Sequence, residues 1–167
     1  YISRLPEDEA SLPKPPKQRP VKRQELHGEI RLSAAFVQEK DTNNNFRPMG
    51  GLDSLTDLSM RDEFLDFHGI LRYEMDFSFH ADAQSTGKEA IFLDGANEVV
   101  SLSVNGQEAL VRIGSPYRFE VGPFLKDGEN HLVIDNVTTV FPYVKDHPSI
   151  NTGLHPMGLC GKIWLES

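Results

Sequence analysis

Asp62, Glu63 and Asp66 crowd into five residues of the chain, and Asp146 stands apart beside His147. Hydrolysis of a glycosidic bond needs two carboxylates held roughly 5 to 9.5 Å apart across a cleft. Acidic residues are plentiful here, 25 in 167, yet no spacing singles out a pair. Ser–His–Asp chemistry lacks a nucleophile in a Gly-x-Ser-x-Gly elbow. The six histidines are scattered, and Asp146, His147 and His155 match no metal-ligand spacing, so no metal is assigned. Cys160 is the single cysteine; it closes no internal disulfide and joins no Cys/His cluster, which leaves the redox compartment open. The expectation is a chain with no catalytic residue of its own.

The richest segment is TTVFPYVKDHPSINTGLHPMG, residues 138–158, a connection of unusual length between two strand-like stretches. Long connections in compact domains are usually functional or disordered. Phe141 and Tyr143 offer apolar platforms, and Lys145, Asp146, His147 and Asn151 offer polar partners, the mixture a sugar ring needs. Phe141, Tyr143, Asp146, His147 and Asn151 are therefore the candidate binding residues. A second reading has the two aromatics pin the loop over the end of the domain.

The elements that would carry this loop are short strands. In GILRYEMDFSF (69–79), Leu71, Tyr73, Met75, Phe77 and Phe79 point one way while Arg72, Glu74, Asp76 and Ser78 point the other, so one face is buried and one is wet. Further strands are expected at 28–37, 90–93, 117–121, 130–137 and in the closing KIWLES, with a polar connection after the first and a helical turn between Gly122-Pro123 and Asp127-Gly128. A helical turn or two is also expected near 53–60. VSLSVNGQEALV (100–111) reads as a hairpin closed by an Asn105-Gly106 type I′ turn, with Val104 opposite Gln107, Leu102 opposite Ala109 and Val100 opposite Val111. Short strands with turns about every ten residues predict an all-β, antiparallel β-sandwich of jelly-roll form.

Residues 1–23 hold five prolines, and their six basic against three acidic side chains give +3, leaving −11 on the remainder of a chain with net charge −8. Such a stretch favours extended polyproline geometry and cannot fill a core. The expected organisation is a proline-rich linker or extension over 1–24, able to lie along its own acidic domain, and one sandwich domain over 25–167. The negative balance disfavours nucleic acid and anionic membrane surfaces as partners. No apolar run approaches the ~20 residues that cross a bilayer as a helix. The chain opens on Tyr1, which suggests a piece of a longer protein, and no localisation is assigned.

Four stretches in order resemble the galactose-binding-domain-like jelly roll that serves as the sugar-binding domain of glycoside hydrolase family 2 and of related β-galactosidases and rhamnosidases. DFHGILRYEMDFSF (66–79) is similar to that family's Phe-x-Gly-x-x-x-Tyr strand, and VVSLSVNGQEA (99–109) to its Val-Asn-Gly hairpin. SPYRFEVGPFLKDGENHLVIDNV (115–137) resembles Pro-Tyr-Arg-Phe-x-Val followed by Leu-Lys-x-Gly-Glu-Asn, and GLCGKIWLES (158–167) the closing Gly-Leu-x-Gly-x-Val-x-Leu.

The resemblance covers residues 25–167. It implies a non-catalytic carbohydrate-binding or architectural accessory domain of a larger glycoside hydrolase, with carbohydrate and the catalytic domain of the same parent chain as partners. An interdomain scaffold without ligand is the alternative, and a self-contained sandwich glycosidase a further one. Relatives of the fold hold calcium through backbone carbonyls, a geometry that side-chain spacing does not encode, and no cofactor is assigned. Two positions depart from the pattern. Asn136 stands where an apolar inward residue is common, so either the strand ends early or the amide bonds within the loop. Trp164 stands at an outward phase, either marking a contact with the linker or a neighbouring domain, or covered by long side chains of its own sheet.

Overall fold

The computed structural model describes residues 21–36, 45–65, 67–81, 85, 87–108, 110–138 and 156–167. Among these residues ten strands form two antiparallel sheets: β1 (Arg23–Glu25), β2 (Ile30–Phe36), β3 (Arg47–Leu52), β4 (Gly69–Phe79), β5 (Ala90–Leu93), β6 (Val99–Val104), β7 (Leu110–Arg112), β8 (Tyr117–Glu120), β9 (Gly128–Val137) and β10 (Ile163–Glu166). One sheet has the order β1-β10-β5-β8, the other β3-β2-β4-β9-β6-β7. After β4 the chain alternates between them, β5, β8 and β10 falling in the smaller sheet and β6, β7 and β9 in the larger. The fold is the expected antiparallel β-sandwich.

Period-two patterning does most of the work. In β4 the buried residues Leu71, Tyr73, Met75 and Phe77 alternate with Ile70, Arg72, Glu74 and Asp76, and the strand pairs with β9 over all ten positions of that neighbour, from Ile70 opposite Val137 to Phe79 opposite Gly128. The inner faces of both sheets meet in one core that includes Leu32, Leu71, Tyr73, Ile91, Leu102, Phe119, Leu132, Ile134 and Leu165. Short 3-10 turns occur at Asp62–Phe64 and Gly122–Phe124. The second lies where a helical turn is expected; the first lies just beyond the expected 53–60 stretch.

Two strands lie where none is expected. β3 forms inside the polar connection, on the outer edge of the larger sheet, where Pro48 and paired glycines are tolerated because the far side of the backbone has no ladder to complete. β1 takes Arg23 and Gln24, the end of the proline-rich stretch, into the smaller sheet beside β10, and Lys22 and Ser167 exchange both backbone hydrogen bonds.

The hairpin keeps its turn and changes its register. Asn105 and Gly106 have φ of 55° and 73°, and the Gln107 amide donates to the Val104 carbonyl at 3.1 Å. Beyond the turn, however, Val100 lies opposite Arg112, Ser101 opposite Val111 and Leu102 opposite Leu110. This is one residue off the expected pairing, and Ala109 lies outside the described residues. A one-residue slip exchanges the faces of a strand. Leu110 therefore packs against the core, and Val111, expected inside, is 50% exposed. Covering Leu102 with a leucine removes more apolar surface from water than an alanine could.

Asn105 also does more than turn the chain. Its Nδ2 donates to the Phe124 carbonyl and to Asn130 Oδ1, and its Oδ1 accepts the His131 amide. Buried Asn130 in turn accepts the Lys126 amide and donates to the Lys126 and Gly128 carbonyls. Asn105→Gly preserves the positive φ but empties this network. It is expected to cost about 1–3 kcal/mol in chemical denaturation, and a loss below about 0.5 kcal/mol would reduce the asparagine to a turn residue.

Candidate functional site

Phe141, Tyr143, Asp146, His147 and Asn151 lie outside the described residues, as do Lys145, His155 and Asp66. The two stems of their loop are described. At the first stem, the Thr138 amide and hydroxyl both donate to the Gly69 carbonyl, and the Thr138 Oγ1 accepts the Gly69 amide at 2.9 Å. At the second, Asn97 donates to the Pro156 carbonyl, and Leu58 N donates to the Met157 carbonyl. Asp57 Oδ1 accepts the amides of Met157 and Ser59, each at 2.9 Å. Thr138 and Pro156 thus both stand at the end of the sandwich where β4 begins. Met60 and Leu65, 83% and 47% exposed, stand at the same end.

Of the described carboxylates near this end, Asp57 is held for structure. Partial burial alone would raise the Asp57 pKa, but the Ser59 and Met157 amides outweigh it and keep the group below the usual range. Asp62 and Glu63 stand exposed on a single 3-10 turn. Cys160 is half-buried, and burial first, then the Asp57 charge, pushes its thiol up to about 11, leaving it protonated at neutral pH. Among the described residues no three His, Cys, Asp or Glu side chains converge as ligands of a metal ion would.

The outer face of the smaller sheet is built around Glu166. Its side chain is 4% exposed, with Arg23 Nε at 2.9 Å from Oε1 and Arg118 Nε at 2.7 Å from Oε2. Ala90, opposite Glu166 on β5, leaves room for both guanidinium groups. Arg23 lies over the Phe92 ring at 4.7 Å. Trp164, opposite Phe92, donates from Nε1 to Asp94 Oδ2 at 3.0 Å, while the Lys162 ammonium lies 5.5 Å from its ring. Partial burial would raise the Asp94 pKa, yet the Trp164 indole and the Lys162 amide hold it low. Trp164 is thus half-buried under side chains of its own sheet, the second of the two readings open to it. Asn136 resolves in the same manner: it is buried, with Nδ2 donating to the Asn97 and Val99 carbonyls.

The outer face of the larger sheet is arranged in transverse rows. Arg31, Asp76, His131 and Glu74 form one charged group, with Asp76 Oδ1 at 2.7 Å from His131 Nδ1 and Asp76 Oδ2 at 3.1 Å from Arg31 Nη2. His131, then Arg31, holds the Asp76 carboxyl low. Next along the strands, Arg72 and Asp135 form a bidentate pair at 2.7 and 2.8 Å, which raises the Arg72 pKa, and the guanidinium lies 3.9 Å over the Phe46 ring. The alternation in β4 marks these side chains as wet; which of them meet across strands depends on register, which the sequence pattern does not contain.

No family model matches the chain, and no curated protein matches it significantly. Solved structures do. The chain resembles part of a rhamnosidase from Novosphingobium sp. PP1Y, with a TM-score of 0.67, 18% identity, and coverage of 89% of this chain but 15% of the rhamnosidase. It also resembles part of a β-glucuronidase from Ruminococcus gnavus, with a TM-score of 0.58, 16% identity, and coverage of 91% of this chain and 30% of that enzyme. At such identities the likeness is one of fold. The chain has a β-sandwich fold that occurs as one part of larger glycoside hydrolases.

Proposed function

We propose that this chain is a non-catalytic accessory domain of a larger glycoside hydrolase, in contact with carbohydrate through the loop at 139–155. The observation that carries this reading is the coverage: nine-tenths of the chain matches less than a sixth of the rhamnosidase. Asp57, Asp76 and Asp94 are each bound to scaffold donors and held low, which suits these three to structure and not to general-acid work. Phe141 and Tyr143 supply the stacking platforms, and Asp146, His147 and Asn151 the hydrogen bonds. A pure interdomain scaffold is the second reading, supported by the Glu166 clamp that ties β1 into the sheet.

The chain is expected to turn over no member of a nitrophenyl glycoside panel; turnover abolished by Asp62→Asn or Asp146→Asn would overturn the non-catalytic assignment. One stacking aromatic and a few hydrogen bonds give an affinity near a millimolar, roughly −4 kcal/mol. Tyr143→Ala is expected to weaken it about tenfold, or ~1.4 kcal/mol. NMR titration after glycan-array screening measures both, and retention of full affinity by the variant would remove Tyr143 from the site.

A further inference from the structure

The register of the larger sheet lines up one row of outward side chains across all six strands: Pro48, Ser33, Arg72, Asp135, Ser101 and Val111. The charges in this row cancel within it, since Arg72 and Asp135 engage each other through two hydrogen bonds, and the Phe46 ring stacked 3.9 Å from the Arg72 guanidinium gives the row an aromatic face. Ser33 and Ser101 flank the pair on β2 and β6, and among the described residues their hydroxyls take no partner. Towards the loop stems the adjoining row is apolar, with Ile70, Val137 and Val99 side by side and Val137 37% exposed. The charged group of Arg31, Glu74, Asp76 and His131 lies on the opposite side.

Resting on the reading that this domain meets carbohydrate, we infer that the row is a second saccharide-binding surface, and that it takes a neutral, extended oligosaccharide laid across the strands. Strands stand about 4.8 Å apart, close to the repeat of an extended pyranose chain, so successive rings meet successive strands. From β2 to β6 the row spans about 14 Å on that spacing, enough for three rings. Equatorial hydroxyls face Ser33, Ser101 and the free lone pairs of Asp135, while ring C–H faces lie on Ile70, Val137 and Val99. Charge complementarity selects the ligand: a row whose one cation and one anion satisfy each other attracts neither a polyanion nor a polycation, and its open capacity is hydroxyl and carboxylate edge.

The test is NMR titration of the whole chain with cellohexaose, mannohexaose and xylohexaose, and with hexagalacturonate as the charged comparison. At least one neutral hexasaccharide is expected to shift the amides of Arg72, Ser101 and Asp135 at millimolar concentration, with hexagalacturonate at least fivefold weaker. Ser33→Ala with Ser101→Ala removes two exposed-face hydroxyls without touching the core and is expected to lower the affinity about tenfold. Asp76→Asn, in the charged group, is expected to leave it unchanged. Shifts confined to 139–155, with the serine double variant binding as the parent, would overturn the sheet-face site while leaving the loop reading intact. Stronger binding of hexagalacturonate would overturn the neutral-ligand assignment. Silence towards all four sugars would remove the carbohydrate reading itself.

Discussion

Gly158→Ala is expected to lower the thermal midpoint by roughly 8–15 °C. Gly158 has φ of +84°, and a Cβ there would lie 2.2 Å from the Tyr73 hydroxyl and 3.3 Å from a Leu71 methyl. Alanine in that backbone region costs about 1–2 kcal/mol. The overlap adds more, because Tyr73 is buried and its hydroxyl accepts the Leu159 amide at 3.2 Å. Displacing the ring breaks that bond and leaves a buried amide unpaired, a further ~1–3 kcal/mol. Tyr73→Phe made in the Gly158→Ala background should recover part of the loss, because it removes the atom that the new methyl strikes. A midpoint within about 2 °C of the parent, less than ~1 kcal/mol, would show that the contact relaxes at no cost.

The second large effect concerns the strand that closes the smaller sheet. Glu166→Gln keeps the shape of the side chain but removes its charge, and turns an amide N–H towards one of the two guanidinium groups it now separates. A broken buried ion pair costs ~3–5 kcal/mol. Arg23 and Arg118, with side chains 50% and 39% exposed, regain water on release, which reduces the figure to about 2–3 kcal/mol. Deletions separate this clamp from the proline-rich segment before it. Removing residues 1–20 should leave the midpoint within about 2 °C, since proline-rich polar sequence buries little apolar surface. Removing residues 1–25 takes β1 and Arg23 away and should cost about as much as Glu166→Gln. Hydrogen exchange should then accelerate along β10 and at Ser167, whose amide loses the Lys22 carbonyl. If the shorter deletion destabilises the domain as much as the longer one, β1 is not what the clamp holds.

Asn105 and Tyr73 show how far motifs could be read alone. Each looks like scaffold in sequence, one a turn residue and the other a core aromatic, and both are. What the linear pattern does not contain is their mutual use. Tyr73 of the first motif packs against Gly158 and Leu159 of the last. Asn105 of the hairpin bonds to Asn130 at the end of Leu-Lys-x-Gly-Glu-Asn. Arg118 of Pro-Tyr-Arg-Phe reaches Glu166 in the closing strand. The four stretches resemble one family's pattern together because they touch.

The sequence by itself determined the fold class, the positions of β2, β4, β5, β6, β8, β9 and β10, and the Asn105-Gly106 turn, because period-two alternation and positive-φ residues are properties of a few neighbouring residues. The tertiary structure decided what depends on partners far away in the chain. β1 has no apolar period; it is a strand because Arg23 meets a carboxylate 143 residues on. β3 reads as loop and is a strand because β2 offers it an edge. β7 slipped by one residue because burying Leu110 opposite Leu102 outweighs the register that the turn alone suggested. The transverse row on the larger sheet exists only once five registers are set, since the energy of a cross-strand pair belongs to the pairing and not to either strand.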